Sequence, residues 1–147
     1  MSNLYAIRRD FMQQFDLPAP ATPGLYRDTL PMWETMLQEE MAEFLHALQE
    51  FKQSASCDQQ EQVRRMAELT AEGVDVLNVL TGLLLSQGMP LEAMTEAIHQ
   101  ANLRKQIDGK VVRRADGKVL KPAGWQPADK CGVIRAALQH DKSTAQD

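Results

Sequence analysis

Five acidic residues fall into two short groups: Glu39, Glu40 and Glu43 in one, Glu72 and Asp75 in the other. Side chains three apart on a helix are neighbours, so Glu40 with Glu43 and Glu72 with Asp75 would each form a two-carboxylate pincer. All-oxygen ligation of this kind suits magnesium or manganese rather than zinc. Two pincers on facing helices could hold one ion or a closely spaced pair. Such ions would neutralise and orient a polyphosphate and lower the pKa of water. Glu39, just outside the pincer, is placed to accept a proton from that water or to hold it. The alternative is a set of solvated or salt-bridged acids with Arg64 and Arg65 as partners.

The surrounding residues decide between these alternatives. On a helix of about 100° per residue, Trp33, Met36, Leu37, Phe44, Ala47, Leu48 and Phe51 share one side. Glu40 lies near the middle of that side, with Glu43 and Glu39 along its edge. From Leu69 to Leu83 the arrangement repeats, with Glu72 among Leu69, Val76, Val79 and Leu83, and Asp75 one turn on. Carboxylates belong on the outside of amphipathic helices. Burying them unpaired is costly, and two facing pairs would repel each other. Cations between two packed helices remove both penalties.

A basic run follows near the C-terminus. Arg104, Lys105, Lys110, Arg113, Arg114, Lys118 and Lys121 are interrupted only by the acids Asp108 and Asp116. The run reads either as a solvated hairpin with charged edges or as a cationic flap over phosphates, with Asn102 and Lys105 pointing at the same groups. Glu43-x-x-His46 imitates half of a di-iron carboxylate site, but such bundles need the motif on two helices. The second stretch offers Asp75 and Asn78, so His46 reads as a surface or supporting residue. Trp33 reads as core; Trp125 could stack on a base. Cys57 and Cys131 have no Cys/His pattern around them and read as free thiols.

The elements that must position these groups follow from the apolar spacing and the breakers. Leu4 to Phe15 is expected as a first helix, and Pro18, Pro20, Pro23 and Gly24 make the next stretch a connector. A second helix begins near Thr29 and Pro31 and runs to about Lys52. A third is expected over Gln59 to Gln87, apolar nearly all round in its second half and so in need of cover on more than one side. Gly88 stops it, and Pro90 opens a fourth that runs to about Lys105. Asp108-Gly109 and Asp116-Gly117 predict a short β-hairpin or an ordered loop, and Ala128 to Gln139 a last short helix.

The expected fold class is therefore all-α: a bundle of four to five main helices with a C-terminal hairpin or ordered loop. The 147 residues suit one domain, expected over 1–140, with a disordered tail over 141–147. A formal net charge of −4 argues against general nucleic-acid binding. The N-terminus lacks the apolar run of a signal peptide, and the most apolar stretch, Val76 to Leu85, contains Asn78 and Thr81 and falls short of a bilayer span. A cytoplasmic protein with no membrane partner is expected.

Glu39-Glu40-Met41-Ala42-Glu43 followed by Glu72-Gly73-Val74-Asp75 resembles the E-E-x-x-E and E-x-x-D signature of the all-α nucleoside triphosphate pyrophosphatases. That superfamily includes MazG-like proteins, dimeric dUTPases and phosphoribosyl-ATP pyrophosphohydrolases. Asp10-Phe11 through Pro23, Asn102-Leu103-Arg104-Lys105, Asp108-Gly109-Lys110 and Asp116 to Lys121 look like the phosphoribosyl-ATP pyrophosphohydrolase-like branch. The resemblance implies a magnesium-dependent enzyme, with manganese as a substitute, that cleaves a (deoxy)nucleoside triphosphate between its α and β phosphates. It implies Glu40, Glu43, Glu72 and Asp75 as metal ligands and Glu39 as a further ligand or the base. Asn102, Lys105, Lys110, Lys118 and Lys121 would meet phosphate or sugar. It also implies a bundle completed by a second subunit, as a homodimer or homotetramer. A runner-up from another class is a nucleotide-sensing or protein-binding helical module that keeps the acidic site without turnover.

Overall fold

The computed structural model describes residues 3–144. Among them are five α-helices and no strand: α1 (Leu4–Gln14), α2 (Leu30–Lys52), α3 (Gln59–Ser86), α4 (Leu91–Leu103) and α5 (Lys130–Thr144). The all-α expectation holds. Contacts cluster into two units, one running through to Met89 and the other beginning at Pro90.

In the first unit α2 and α3 form the main packed pair, and α1 lies against α3. A short connection with one 3₁₀ turn at Ser54–Ser56 joins α2 to α3. Trp33 meets Gly82, Phe44 meets Gly73, and the Glu50 carbonyl accepts from Arg65. The residue numbers rise on one helix as they fall on the other, so the pair is antiparallel. Trp33 is 1% exposed, and Gly82 is required under it, because a Cβ there would run into the indole ring. Met12 of α1 and Val79 and Leu85 of α3 are buried with it.

The helix ends follow local chemistry. Asn3 caps α1, its side chain accepting from the Ala6 amide at 2.7 Å. Asp58 caps α3 by accepting from the Glu61 amide at 2.8 Å. Pro31 sits in the first turn of α2, where its missing N–H is harmless. The buried Gln87, just past α3, pins the proline-rich connector: its amide accepts from the Tyr26 N–H and donates to the Tyr26 carbonyl, both at 2.9 Å. Gly88 adopts φ +68°, and a Cβ there would strike the Thr22 carbonyl.

In the second unit α4 and α5 pack together. Asp129 precedes α5 and accepts from the Gly132 amide at 2.9 Å. Between the helices the chain makes two isolated bridges, Ile107 with Lys110 and Arg113 with Val119. Asp108 and Gly109 both take positive φ, as a tight turn requires. No ladder extends from either bridge among the described residues, so of the two expectations the segment matches the ordered loop. Helix α5 continues to Thr144, past the Asp141 at which a tail was expected; 145–147 lie outside the described residues. By length and composition α3 is the one described helix apolar enough to cross a membrane, a property that core helices of bundles share.

Candidate metal centre

The antiparallel register that sets Trp33 against Gly82 also sets Glu43 across from Glu72, and Glu40 across from Asp75. Carboxylate oxygens of Glu40, Glu43 and Glu72 come within 4.8 Å of one another. Glu40 and Glu72 are half-buried and Glu43 is exposed. Asp75 stays outside that close group, yet its charge acts on both Glu40 and Glu72. Glu39 is exposed and adds to the negative field at Glu40. The first unit thus brings three of the four expected ligands together, with the fourth beside them.

The electrostatics show what the arrangement lacks. Burial, followed by the charges of Glu43, Asp75, Glu72 and Glu39, pushes the Glu40 carboxyl above its ordinary value. Burial and then the charges of Glu43, Asp75 and Glu68 push Glu72 the same way. The Oε2 atoms of Glu40 and Glu72 are buried without any hydrogen-bond partner. Buried carboxylate oxygens are ordinarily paired or bound to a metal. Arg64 and Arg65, the alternative partners suggested by the sequence, are engaged elsewhere. Both hold Glu61, at 2.7 and 2.9 Å, and Arg64 also reaches Glu50 at 3.7 Å. Glu61 is thereby held down to about 2. Carboxylate oxygens gathered within 4.8 Å, on residues two of which also bury an unpartnered oxygen, fit a hard divalent cation.

A cavity of about 330 Å³ opens beside these acids, lined by Ala42, Glu43, His46, Ala47, Glu50, Glu68 and Glu72. Glu68 and Glu50 extend the acidic wall beyond the residues singled out by motif. The signal for Glu68 was available, since it lies one helical turn before Glu72. His46 is a surface residue with a 78% exposed side chain, 3.7 Å from Glu50. The first unit also carries Arg8 of α1, whose cation sits 4.3 Å from the centre of the Phe11 ring and 5.7 Å from that of Trp33. Its place four residues after Leu4 and three before Phe11, on an apolar stripe, is the same kind of anomaly as Glu40.

The expected phosphate-binding residues belong to the second unit. There Lys105 and Lys121 stand 5.4 and 5.1 Å from the centre of the Trp125 ring. The Trp125 indole N–H donates to the Ala101 carbonyl at 2.7 Å. Asn102, Lys121 and Trp125 line a cavity of about 210 Å³ with Lys130. Lys110 and Lys118 are exposed on the loop and do not line that cavity. Cys57 and Cys131 are free thiols.

A family model described as phosphoribosyl-ATP pyrophosphohydrolase matches residues 8–102. The matched stretch starts at Arg8, contains all five acids and ends at Asn102. No curated protein matches the chain.

Proposed function

The chain belongs to the phosphoribosyl-ATP pyrophosphohydrolase family, within the MazG-like all-α pyrophosphohydrolases, and we propose that it hydrolyses a (deoxy)nucleoside triphosphate with magnesium. The products are the nucleoside monophosphate and pyrophosphate. Nucleotide-pool house-cleaning is the role such an activity would serve. The observation that carries the reading is the gathering of Glu40, Glu43 and Glu72 oxygens within 4.8 Å, with two of those carboxylates each burying an unpartnered oxygen.

In this reading Glu40, Glu43 and Glu72, joined by Asp75, hold magnesium, or manganese in its place. The bound cation supplies neutralisation of the polyphosphate oxygens and a more acidic water. Water adds to the α-phosphorus as the bond from that phosphorus to the bridging oxygen breaks, and pyrophosphate leaves with the bridging oxygen. The exposed carboxylate of Glu39 accepts the proton given up by the water. In the second unit Asn102, Lys105, Lys110, Lys118 and Lys121 are the groups offered to phosphate or sugar. The subunit works as a homodimer or homotetramer in the cytoplasm, with neither nucleic acid nor membrane as partner.

The test is pyrophosphate release from a panel of ordinary and modified nucleoside and deoxynucleoside triphosphates. Turnover is expected with Mg²⁺ or Mn²⁺, and its abolition by chelator, by Glu40→Ala and by Glu72→Ala. An absence of turnover across the panel with both metals would overturn the assignment.

A further inference from the structure

The second unit carries a cavity of its own. The Trp125 indole N–H donates to the Ala101 carbonyl at 2.7 Å, which ties the segment beyond Lys121 back to α4. Between that segment, α4 and the start of α5 lies the cavity of about 210 Å³, whose polar lining is Asn102, Lys121 and Lys130. The half-buried Trp125 ring gathers charge there. Lys121 Nζ stands 5.1 Å from its centre and Lys105 Nζ 5.4 Å. Lys105 does not line the cavity itself, but it shares the ring that does. The matched family stretch ends at Asn102, so all three lysines lie beyond it.

Three ammonium groups without a counter-charge call for an anion. No carboxylate lines the cavity, and among the described residues no acid pairs with Lys105, Lys121 or Lys130. Elsewhere in the unit Arg114 is matched by Asp116. Asp129, next to Lys130 in the chain, is turned onto the Gly132 amide at 2.9 Å. Lysines that served only solubility would spread apart, because like charges repel. Here two share one ring, which attracts each cation without neutralising it. Size narrows the ligand. The 210 Å³ fall below the roughly 300 Å³ at which sites for whole small molecules begin, and equal the share of about seven waters. Such a space suits one or two phosphate groups and not a nucleoside. We infer that this cavity is a metal-independent site for a diphosphate group, bound by Lys121, Lys130 and the Asn102 amide. Lys105 adds charge, and Trp125 is the residue that positions Lys105 and Lys121. The inference rests on the pyrophosphohydrolase reading for the origin of the ligand, which that reaction releases; the anion site itself stands on the second unit alone.

Trp125 supplies its own reporter. Indole N–H resonances of the full chain are followed by NMR in EDTA as inorganic pyrophosphate is added at constant ionic strength, the Trp125 signal being assigned by its loss in Trp125→Phe. The Trp125 signal should shift saturably, and that of the buried Trp33 should stay in place. Affinities come from calorimetry, also in EDTA. Lys121→Gln and Lys130→Gln should each weaken pyrophosphate binding by about three- to tenfold. Lys52→Gln, which removes the same charge from the end of α2, should leave it unchanged. Trp125→Leu should weaken binding to a similar extent, while Trp125→Phe, which keeps an aromatic face for the lysines, should retain more of it. Competition by a nucleoside triphosphate would mark the site as one for the end of a polyphosphate chain, and its absence as one for free pyrophosphate.

The absence of a saturable shift at Trp125 would overturn the inference, as would equal shifts at both indoles. So would equal affinity in wild type, Lys121→Gln and Lys130→Gln, or a loss in Lys52→Gln as large as theirs, the mark of unspecific attraction to a charged surface. Trp125→Leu with wild-type affinity removes the positioning role. Turnover in a chain that binds no pyrophosphate in EDTA refutes this site alone. Binding that depends on Lys121 and Lys130 in a chain without turnover refutes the hydrolase reading alone.

Discussion

Glu40 and Glu72 each bury a carboxylate oxygen that meets no donor, and this unmet demand has a measurable pH signature. Their folded-state pKa values are raised by burial and by neighbouring acids above the ordinary 4.5. The metal-free folded chain therefore holds more protons than the unfolded chain above that value. Its stability from these two groups is full below pH 4.5 and is lost as pH rises through the folded values. Glu61 behaves oppositely: Arg64 and Arg65 hold it down to about 2, so its contribution is present above 4.5 and lost as pH falls toward 2. Melting curves of the metal-free protein should show a loss of stability on raising the pH above about 4.5. Glu40→Gln and Glu72→Gln should flatten that slope, and saturating Mg²⁺ should oppose it by replacing the protons. A pH profile indifferent to both substitutions and to metal would count against an unmet charge cluster. Arg8 shows why residue-scale reading of sequence stops short. A single arginine on an apolar stripe is visible, but that it lies over Trp33 of α2 depends on how α1 docks.

At the scale of elements, the fold rests on the antiparallel pair α2 and α3, keyed by Trp33 over Gly82. Truncating so deeply buried an indole, Trp33→Ala, should destabilise the chain by about 3–5 kcal/mol. Gly82→Ala should cost about 1–3 kcal/mol by forcing the ring aside. Urea unfolding midpoints measure both, and a near-neutral Gly82→Ala would mean the helices are not in this register. Asp58→Ala, which removes the side-chain cap of α3, should cost about 1 kcal/mol. Much of this level was legible. The prolines between α1 and α2 and the stop at Gly88 set ends that fall within a residue or two of those expected, because each acts through its own backbone. The acid pincers were legible for the same reason, since helical spacing alone fixes which carboxylates share a face. What spacing leaves open is long-range. Gln87 clamping Tyr26 joins residues far apart in the chain, and which three of the four acids gather within 4.8 Å depends on how α2 and α3 pack. The 107–120 segment carried two turn dipeptides, and only the turns with isolated bridges formed.

For the whole molecule, α3 leaves Val74, Leu77 and Leu80 between 39% and 47% exposed, and α2 leaves Met41 and Leu45 about half-exposed. Apolar side chains at this density on the two helices that carry the acids are the surface on which the proposed homo-oligomer would form. Sedimentation should find a dimer or tetramer, and Leu77→Asp should shift it toward monomer; a wild-type monomer at all concentrations would remove that part of the account. Because a divalent ion would bind only the folded chain, Mg²⁺ at a hundred times its dissociation constant should stabilise by about 2.7 kcal/mol. For a chain of this size the melting point should rise by roughly 5–10 °C. The central claim is that α2 and α3 come together to hold a hard cation among Glu40, Glu43 and Glu72. It is tested most directly by counting bound Mn²⁺ at pH 7 from the loss of the free-ion electron paramagnetic resonance signal. At least one ion per subunit should bind the wild-type chain and none the Glu40→Gln, Glu72→Gln double variant; equal binding by both, or binding by neither, would contradict it.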